Sequence, residues 1–239
     1  MKKEIKGVIF DLDNTILNSS KIIDDANKEV INEMKKDFDE INEDFFNEMH
    51  AKTDAEYKKI EPVYRHKELF YELFAKASGF NMDREKIKKY SDTFEEVLLT
   101  RMEFTEGIKE VINAIKNNGL KIGLLTGEGM YTGLKRKTLE KIGFMEKVDV
   151  KIIAREGIPE SKSEPGAFKR TAELMDLKPD EVLFIGDVPE IDIDNAKLAG
   201  MFTVLFDRYN AEKGRVSRSE PDYIIEDMKQ IYDILSISP

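Results

Sequence analysis

The chain has 239 residues, of which 41% are hydrophobic and 36% charged, a composition typical of folded globular proteins and not of disordered ones. Its net charge of −10 argues against a nucleic-acid or anionic-membrane surface, and no stretch approaches the roughly 20 consecutive apolar residues that a membrane span needs. The absence of cysteine excludes disulfides, thiolate metal sites and cysteine nucleophiles, so we expect a cytoplasmic protein that binds neither nucleic acid nor a membrane.

The first apolar run of the chain ends in a pair of aspartates. Ile5 and residues 8–10 predict a buried strand and lack the long apolar core of a signal peptide. Asp11 and Asp13 follow this strand directly. Two carboxylates so close together raise each other's cost of ionisation unless a cation lies between them. The pair is therefore either a solvated turn or part of a chemical site.

The next part of the chain has helical periodicity. Four amphipathic helical patterns follow one another, and Pro62 interrupts the third of them. The apolar residues, including many phenylalanines, fit helical spacing and are expected to form a core. We predict a helical domain over residues 17–104, inserted into an α/β domain formed by residues 1–16 and 105–239.

From residue 106 onward, strand-like and helix-like patterns alternate. The strand-like runs are residues 121–127, 148–154, 181–187, 202–206 and 222–225. Helical patterns lie between them, one of which begins at Pro165 and another of which ends near Gly200. This alternation predicts an α/β fold, a doubly wound and mostly parallel sheet with helices on both faces.

Polar residues with complementary chemistry follow the predicted strands. These residues are Asp11, Asp13, Thr126, Gly127, Lys162, Asp187 and Asp192. The carboxylates suit Mg²⁺, and a hydroxyl, a glycine amide and an ammonium group suit a phosphate. Taken singly, each has a simpler interpretation as a turn, a helix cap or a solvated lysine. Because parallel strands bring their carboxyl ends to one edge, the full set predicts a site for a metal ion and a phosphoryl group.

The same segments resemble the four motifs of the haloacid dehalogenase superfamily, specifically those of its Mg²⁺-dependent phosphatases. Residues 11–15, DLDNT, match the first motif, DxDxT, and Thr126 matches the Ser or Thr of the second. Lys162 matches the lysine of the third motif, and residues 186–192 match the fourth, GDxxxxD. The resemblance implies a Rossmann-like core with a small helical cap inserted after the first motif.

The resemblance implies roles for the acidic residues. Asp11 would be the nucleophile, and Asp13 would protonate the leaving alcohol and then activate water. Mg²⁺ would be held by the Asp11 carboxylate, the Asp13 backbone carbonyl and Asp187, with Asp192 in support. Thr15 is expected to be structural and to bond to the local backbone. The family's dehalogenases generally lack the second acid, so Asp13 favours a phosphatase.

The resemblance also implies that Thr126, the Gly127 amide and Lys162 hold the phosphoryl oxygens. The surroundings of Lys162 depart from the usual pattern of this motif. Ser161 replaces the common glycine before the lysine, and residues 163–164, Ser-Glu, replace the common Pro-Asp.

The predicted cap favours a small phosphorylated metabolite as substrate, such as a sugar phosphate, a triose phosphate or phosphoglycolate. Tyr57, Tyr64, Arg65 and His66 are candidates for facing this substrate, although they also fit the ordinary polar surface of a helix. Two alternatives stay open. One is a phosphosugar mutase of the same fold, and the other is a phosphometabolite-binding protein without turnover.

Overall fold

The computed structural model describes residues 4–208 and 217–239, and the chain divides into two compact units. The α/β unit comprises Met1–Ser20, Glu103–Gly127 and Ile142–Pro239, and the helical unit comprises Lys21–Met102 and Glu128–Lys141. Within the described residues, no helix combines the length and the apolar content that crossing a bilayer requires.

The α/β unit is built on a parallel sheet, as predicted. Its strands within the described residues are β1 Gly7–Phe10, β2 Lys121–Thr126, β3 Val150–Ile153, β4 Val182–Gly186, β5 Phe202–Phe206 and β6 Tyr223–Ile225. Their order across the sheet is β3-β2-β1-β4-β5-β6, and every neighbouring pair is parallel. The central strands β1 and β4 are buried along their whole length, which explains their continuous apolar runs.

The helices fall close to the predicted patterns. In chain order they are α1 Ser19–Met34, α2 Glu43–Tyr57, α3 Leu69–Ser78, α4 Arg84–Thr100, α5 Ile108–Asn117, α6 Leu134–Lys141, α7 Pro165–Leu174, α8 Asp194–Ala199 and α9 Ile231–Leu235. Pro165 opens α7, where its missing N–H leaves no bond unmade. Gly200 ends α8 in the left-handed region, with φ of 94°. Pro62 lies in a short 3₁₀ turn between α2 and α3.

The register of the sheet brings the ends of three strands to one edge. Phe10, the last residue of β1, pairs with Leu124 of β2 and with Ile185 of β4. Beyond these partners β2 continues for two residues and β4 for one, so the three strands end within two residues of one another at the carboxyl edge. In an open parallel sheet this edge is where ligands bind.

The helical unit has its own apolar core, as the spacing of its phenylalanines predicts. Large buried rings from α2, α3 and α4 form its centre: Phe46, Phe70, Tyr71, Phe74, Tyr90 and Phe94. Several of these rings pack edge to face or tilted, with centroids 5.3–6.2 Å apart.

Residues 128–141, which include α6, also belong to the helical unit, whereas the predicted α/β domain of residues 105–239 included them. Met130 packs against the apolar core of the helical unit, and Tyr131 and Lys137 both bind Glu95 of α4. These contacts are made by single side chains across about 40 residues of sequence, so helical periodicity alone does not reveal them.

The core of the helical unit is open to a direct test at Phe74, which is fully buried with its ring centroid 5.3 Å from that of Phe46. We expect Phe74→Ala to lower the free energy of unfolding by about 3–5 kcal/mol, because truncation leaves a cavity. Val63 is 73% exposed, so Val63→Ala should change the free energy of unfolding by less than about 0.5 kcal/mol. Urea titrations followed by circular dichroism provide the measurement. Equal effects of the two substitutions would contradict the placement of Phe74 in the core.

Candidate active site

Asp11 lies at the carboxyl edge of the sheet, directly after the central strand. Its backbone N–H donates to the Ile185 carbonyl at 2.8 Å, so the hydrogen-bond ladder between β1 and β4 extends to this residue. Asp11 and Asp187, the residue after β4, are both buried. The sheet thus fixes two acidic side chains that are 176 positions apart in sequence as neighbours at one edge.

Lys162 joins this edge from the loop between β3 and α7. Its buried ammonium contacts Asp11 Oδ1 and lies 2.6 Å from Asp192 Oδ1. It also lies 5.7 Å from the centroid of the Phe184 ring. Burial alone would lower the pKa of Lys162, but the charges of Asp11 and Asp192 outweigh burial and raise it.

The unusual residues around Lys162 form a turn of their own. The hydroxyls of Ser161 and Ser163 are 2.8 Å apart, and the Glu164 N–H donates to the Ser161 carbonyl at 3.0 Å. This turn presents Lys162 to Asp11 without the glycine and proline of the usual motif. Lys151, another lysine near the site in sequence, instead donates to the Met145 and Val148 carbonyls.

Asp192 contacts both Lys162 and the backbone after β4. Besides contacting Lys162, it accepts a hydrogen bond from the Val188 N–H at 3.0 Å through Oδ2. The backbone at Gly186 comes so close that a Cβ there would lie 2.3 Å from this same oxygen. Asp192 therefore leaves no room for a side chain at position 186, which is a physical reason for the glycine there.

The buried carboxylates fit a divalent cation. Asp11, Asp187 and Asp192 each offer an oxygen atom, and these atoms lie within 4.8 Å of one another. Three carboxylates and the single ammonium of Lys162 leave two negative charges when all four groups are ionised. Both Asp187 oxygens are buried without a hydrogen bond of normal geometry from the described residues. A hard divalent cation such as Mg²⁺ would satisfy both the charge and the oxygen atoms.

The raised pKa values of the buried carboxyls also indicate a cation site. Burial, opposed by Lys162 and reinforced by Asp192 and Asp13, raises the pKa of Asp11 to about 7. Burial together with Asp11 and Asp192 raises the pKa of Asp187 to about 8, against smaller opposing effects of the Lys162 charge and the Asn14 side chain. A cation bound here would favour the ionised carboxylates and reverse both shifts.

Asp13 is held in a tight turn beside this cluster. Its Oδ1 accepts a hydrogen bond from the Ser19 hydroxyl at 2.7 Å. Asn14 has a left-handed backbone with φ of 51°, and its Oδ1 accepts from the Ser20 N–H at 2.9 Å. The motif pattern predicted no role for Ser19 or Asn14. The available signal was the pair of serines that begins six residues after Asp13, at the start of a helix.

Thr126 is the last residue of β2, and Gly127 follows it at the same edge. The Thr126 hydroxyl is fully buried and has no hydrogen-bond partner among the described residues. No atom lies within 4 Å of a Cβ placed on Gly127, so there is open space beside its backbone. An unsatisfied hydroxyl next to an open backbone position is suited to an anionic ligand.

The expectation for Thr15 was wrong in one respect. Its side chain is fully buried, but its hydroxyl has no hydrogen-bond partner among residues 4–208 and 217–239, so it does not bond to the local backbone. Its neighbours Ile16 and Leu17 instead close the turn through backbone bonds to the Leu12 carbonyl.

A model of the haloacid dehalogenase-like hydrolase family matches residues 8–206, which is most of the chain and includes every motif residue described above. The chain belongs to this family. Membership in the haloacid dehalogenase-like hydrolases confirms the resemblance stated from the four motifs and accounts for the parallel sheet with acidic residues at its carboxyl edge.

Relatives within this family align with nearly the whole chain. Pyrophosphatase PpaX of Bacillus mycoides is 25% identical over 236 residues, which cover 98% of each chain. Glyceraldehyde 3-phosphate phosphatase of Pyrococcus furiosus is 26% identical over 241 residues, which cover 98% of this chain and 94% of the relative. These names agree with the predicted enzyme class, a phosphatase of the haloacid dehalogenase type.

A solved structure supports the fold. The crystal structure of the HAD-hydrolase YfnB of Bacillus subtilis, described as bound to magnesium, superposes with a TM-score of 0.73 at 19% identity. It covers 98% of this chain and 100% of that one. The predicted α/β fold class is therefore confirmed both by the sheet itself and by this similarity.

The fit of a cation can be tested through stability at Asp187. At pH 4 its carboxyl is largely protonated in the folded protein, so burial carries little penalty. As the pH rises toward 8, the unfolded chain releases this proton and the metal-free folded protein retains it, so stability falls. We expect Asp187→Asn in EDTA to be more stable than the wild type at pH 8 by roughly 2 kcal/mol, and similar to it near pH 4.

Addition of MgCl₂ at pH 8 should stabilise the wild type and leave Asp187→Asn unchanged. Asp176→Asn is a matched control because the Asp176 side chain is 91% exposed and its left-handed backbone suits asparagine. Urea titrations at the two pH values measure each difference. A wild-type protein that MgCl₂ fails to stabilise would contradict a cation site.

Proposed function

We propose that the protein is a Mg²⁺-dependent phosphatase that hydrolyses a small phosphorylated metabolite through an aspartyl phosphate on Asp11. The observation that carries this proposal is the buried contact between Lys162 and Asp11, beside Asp187, formed by residues 151 positions apart. Burying an ammonium and carboxylates costs several kcal/mol per ion unless they are paired, so a purely structural role is a poor explanation for this cluster.

In the first step, a carboxylate oxygen of Asp11 attacks the phosphorus atom of the substrate. The new Asp11 O–P bond forms as the bond from phosphorus to the alcohol oxygen breaks. Asp13 gives its proton to the departing oxygen, so the product leaves as a neutral alcohol. The hydrogen bond from Ser19 to Asp13 Oδ1 restricts the orientation of this acid.

In the second step, water attacks the phosphorus of the aspartyl phosphate. Asp13, now ionised, takes a proton from this water as the O–P bond to Asp11 breaks. The products are inorganic phosphate and the regenerated Asp11 carboxylate, and Asp13 has recovered its proton. Asp13 thus serves both steps, which is the reason for two acids in the first motif.

The phosphoryl group is held by Lys162, the Thr126 hydroxyl and the Gly127 amide, which supply positive charge and hydrogen-bond donors to its oxygens. Asp11, Asp187 and the Asp13 backbone carbonyl would hold Mg²⁺, while Asp192 keeps Lys162 in place. When bound, the cation neutralises the carboxylates and the phosphoryl oxygens, so that one anion can attack another.

The names of the relatives support a small substrate. One relative is named for glyceraldehyde 3-phosphate, a triose phosphate, and another for pyrophosphate. We propose a triose phosphate or another small phosphorylated metabolite, such as a sugar phosphate or phosphoglycolate, as the substrate class. Pyrophosphate is the additional compound that a substrate panel should contain.

Substitution of the nucleophile tests the reaction directly. The wild-type protein with MgCl₂ should release phosphate from 4-nitrophenyl phosphate, and EDTA should abolish this activity. Asp11→Asn should reduce the rate by at least roughly a thousandfold, because the amide cannot form the aspartyl phosphate. Arg170→Gln is a suitable control, since Arg170 is exposed and pairs with Glu173 on the surface of α7. An Asp11→Asn protein with normal turnover would contradict the mechanism.

A panel of phosphorylated metabolites separates the alternatives. Phosphate release from one compound supports a phosphatase, whereas an isomeric sugar phosphate formed without phosphate release would establish a mutase. Saturable binding without any turnover, for the aryl phosphate and for the whole panel, would establish a binding protein instead.

A further inference from the structure

The phosphate-binding residues continue directly into a segment of the helical unit. Thr126 and Gly127 are the last two residues of the segment 103–127 of the α/β unit. The next residues, 128–141, belong to the helical unit. A single peptide bond therefore joins Gly127 to a segment that is held by α2, α4 and the turn between α2 and α3. Any constraint on this segment acts on one end of the phosphate-binding residues.

Glu95 of α4 is the centre of the interactions that hold this segment. Its carboxylate accepts hydrogen bonds from the Tyr131 hydroxyl at 2.5 Å, from Lys137, and from Lys67 at 2.5 Å. Two of these three donors lie in residues 128–141. We call this group of Glu95, Lys67, Tyr131 and Lys137 the Glu95 anchor.

The Glu95 anchor is stronger than an ordinary surface ion pair. The Glu95 side chain is only 12% exposed, and its three donors hold the carboxylate on both oxygens. Burial would raise the pKa of Glu95, but the hydrogen bonds from Lys137, Lys67 and Tyr131 outweigh burial and lower it to about 2. The anchor is therefore ionised and intact throughout the neutral pH range.

Further hydrogen bonds hold the same segment. The buried Tyr57 donates its hydroxyl hydrogen bond to the Met130 carbonyl. The Thr132 N–H donates to the Arg65 carbonyl at 3.4 Å, and the Thr132 hydroxyl donates to the Pro62 carbonyl at 3.3 Å. Together with Tyr131, residues 130–132 are thus bound by side chains and backbone of the helical unit at three consecutive positions.

The hydrogen bonds to residues 130–132 affect how firmly the nearby Gly127 amide is held. A phosphate site depends on donors held in fixed positions, and displacements of about 1 Å reduce rates strongly. Gly127 has no side chain to pack, and the space that a Cβ would occupy there is open to at least 4 Å. The sheet holds the peptide before Gly127, because the Ala154 N–H donates to the Thr126 carbonyl at 2.9 Å, and the segment that follows holds the chain on the other side of Gly127.

We propose that Glu95, through Tyr131 and Lys137, is a positioning residue for the phosphate-binding pair Thr126 and Gly127. The helical unit then contributes to phosphate affinity through the chain that it holds, in addition to any role as a cap. This inference rests on the proposed function, because it assigns Thr126 and Gly127 to the phosphoryl group.

The test compares two substitutions in α4 of the full-length protein with MgCl₂. Glu95→Gln removes the charge of the anchor. Asp92→Asn is the matched control, because Asp92 lies one turn away and also pairs with Lys67, but its second partner is Lys88 and not residues 128–141. The readouts are the Kd of inorganic phosphate by calorimetry, kcat and KM with 4-nitrophenyl phosphate, and hydrogen exchange of amides 127–133.

We expect Glu95→Gln to raise the phosphate Kd and the KM by roughly tenfold, because a charged hydrogen-bond acceptor is lost. Amides 127–133 should exchange faster in this variant. Asp92→Asn should stay within about twofold of the wild type in all readouts. Tyr131→Phe provides a second route if Glu95→Gln folds poorly, and it should shift the same readouts in the same direction.

Three results would overturn the inference. Unchanged phosphate affinity and exchange in both Glu95→Gln and Tyr131→Phe would exclude a positioning role while leaving the phosphatase proposal intact. Equal losses in Glu95→Gln and Asp92→Asn would indicate general destabilisation of α4. A wild-type protein that neither binds phosphate nor turns over a phosphate ester would refute the proposed function, and this inference with it.

Discussion

The candidate site depends on one buried ion-pair network, in which the Lys162 ammonium lies between the carboxylates of Asp11 and Asp192. An ammonium removed from water must be compensated by charges and hydrogen bonds of good geometry, or it is strongly destabilising. Here the compensating carboxylates are Asp11, directly after β1, and Asp192, in the helical turn after β4, so the network depends on the native register of these two neighbouring strands. The fold and the chemistry are thus linked by the same interactions.

The ion-pair network does not satisfy every buried carboxylate at the site. Asp187 is buried beside Asp11 with both oxygens unsatisfied by the described residues, and the pKa values of both carboxyls are raised. A protein that needed only stability would not retain such a group. The unsatisfied charge and the buried Thr126 hydroxyl together describe the two ligands that the site would take, a divalent cation and a phosphoryl group.

The two units each have a core, but they do not divide the chain at the boundaries that periodicity suggests. Residues 128–141 follow the phosphate-binding residues in sequence and yet fold with the helical unit, through Glu95 and Tyr57. Helical insertions in such a fold are usually thought of as covers. In this protein the insertion also restrains a part of the chain that continues from the sheet edge, and this restraint is transmitted along the backbone.

Apolar periodicity and motif spacing predict the parallel α/β fold, the helical insertion and the acidic residues near the strand ends, because these are local properties of the chain. They do not determine how Lys162 is presented without its usual glycine and proline, or that Asp192 binds Lys162. The sequence also does not predict the hydrogen bond that the Ser19 hydroxyl donates to Asp13. The expectation that Thr15 bonds to the local backbone was wrong. These points and the placement of residues 128–141 become visible in the folded chain. Each depends on the geometry of individual side chains, which packing and burial set and which leaves no periodic signal in the chain.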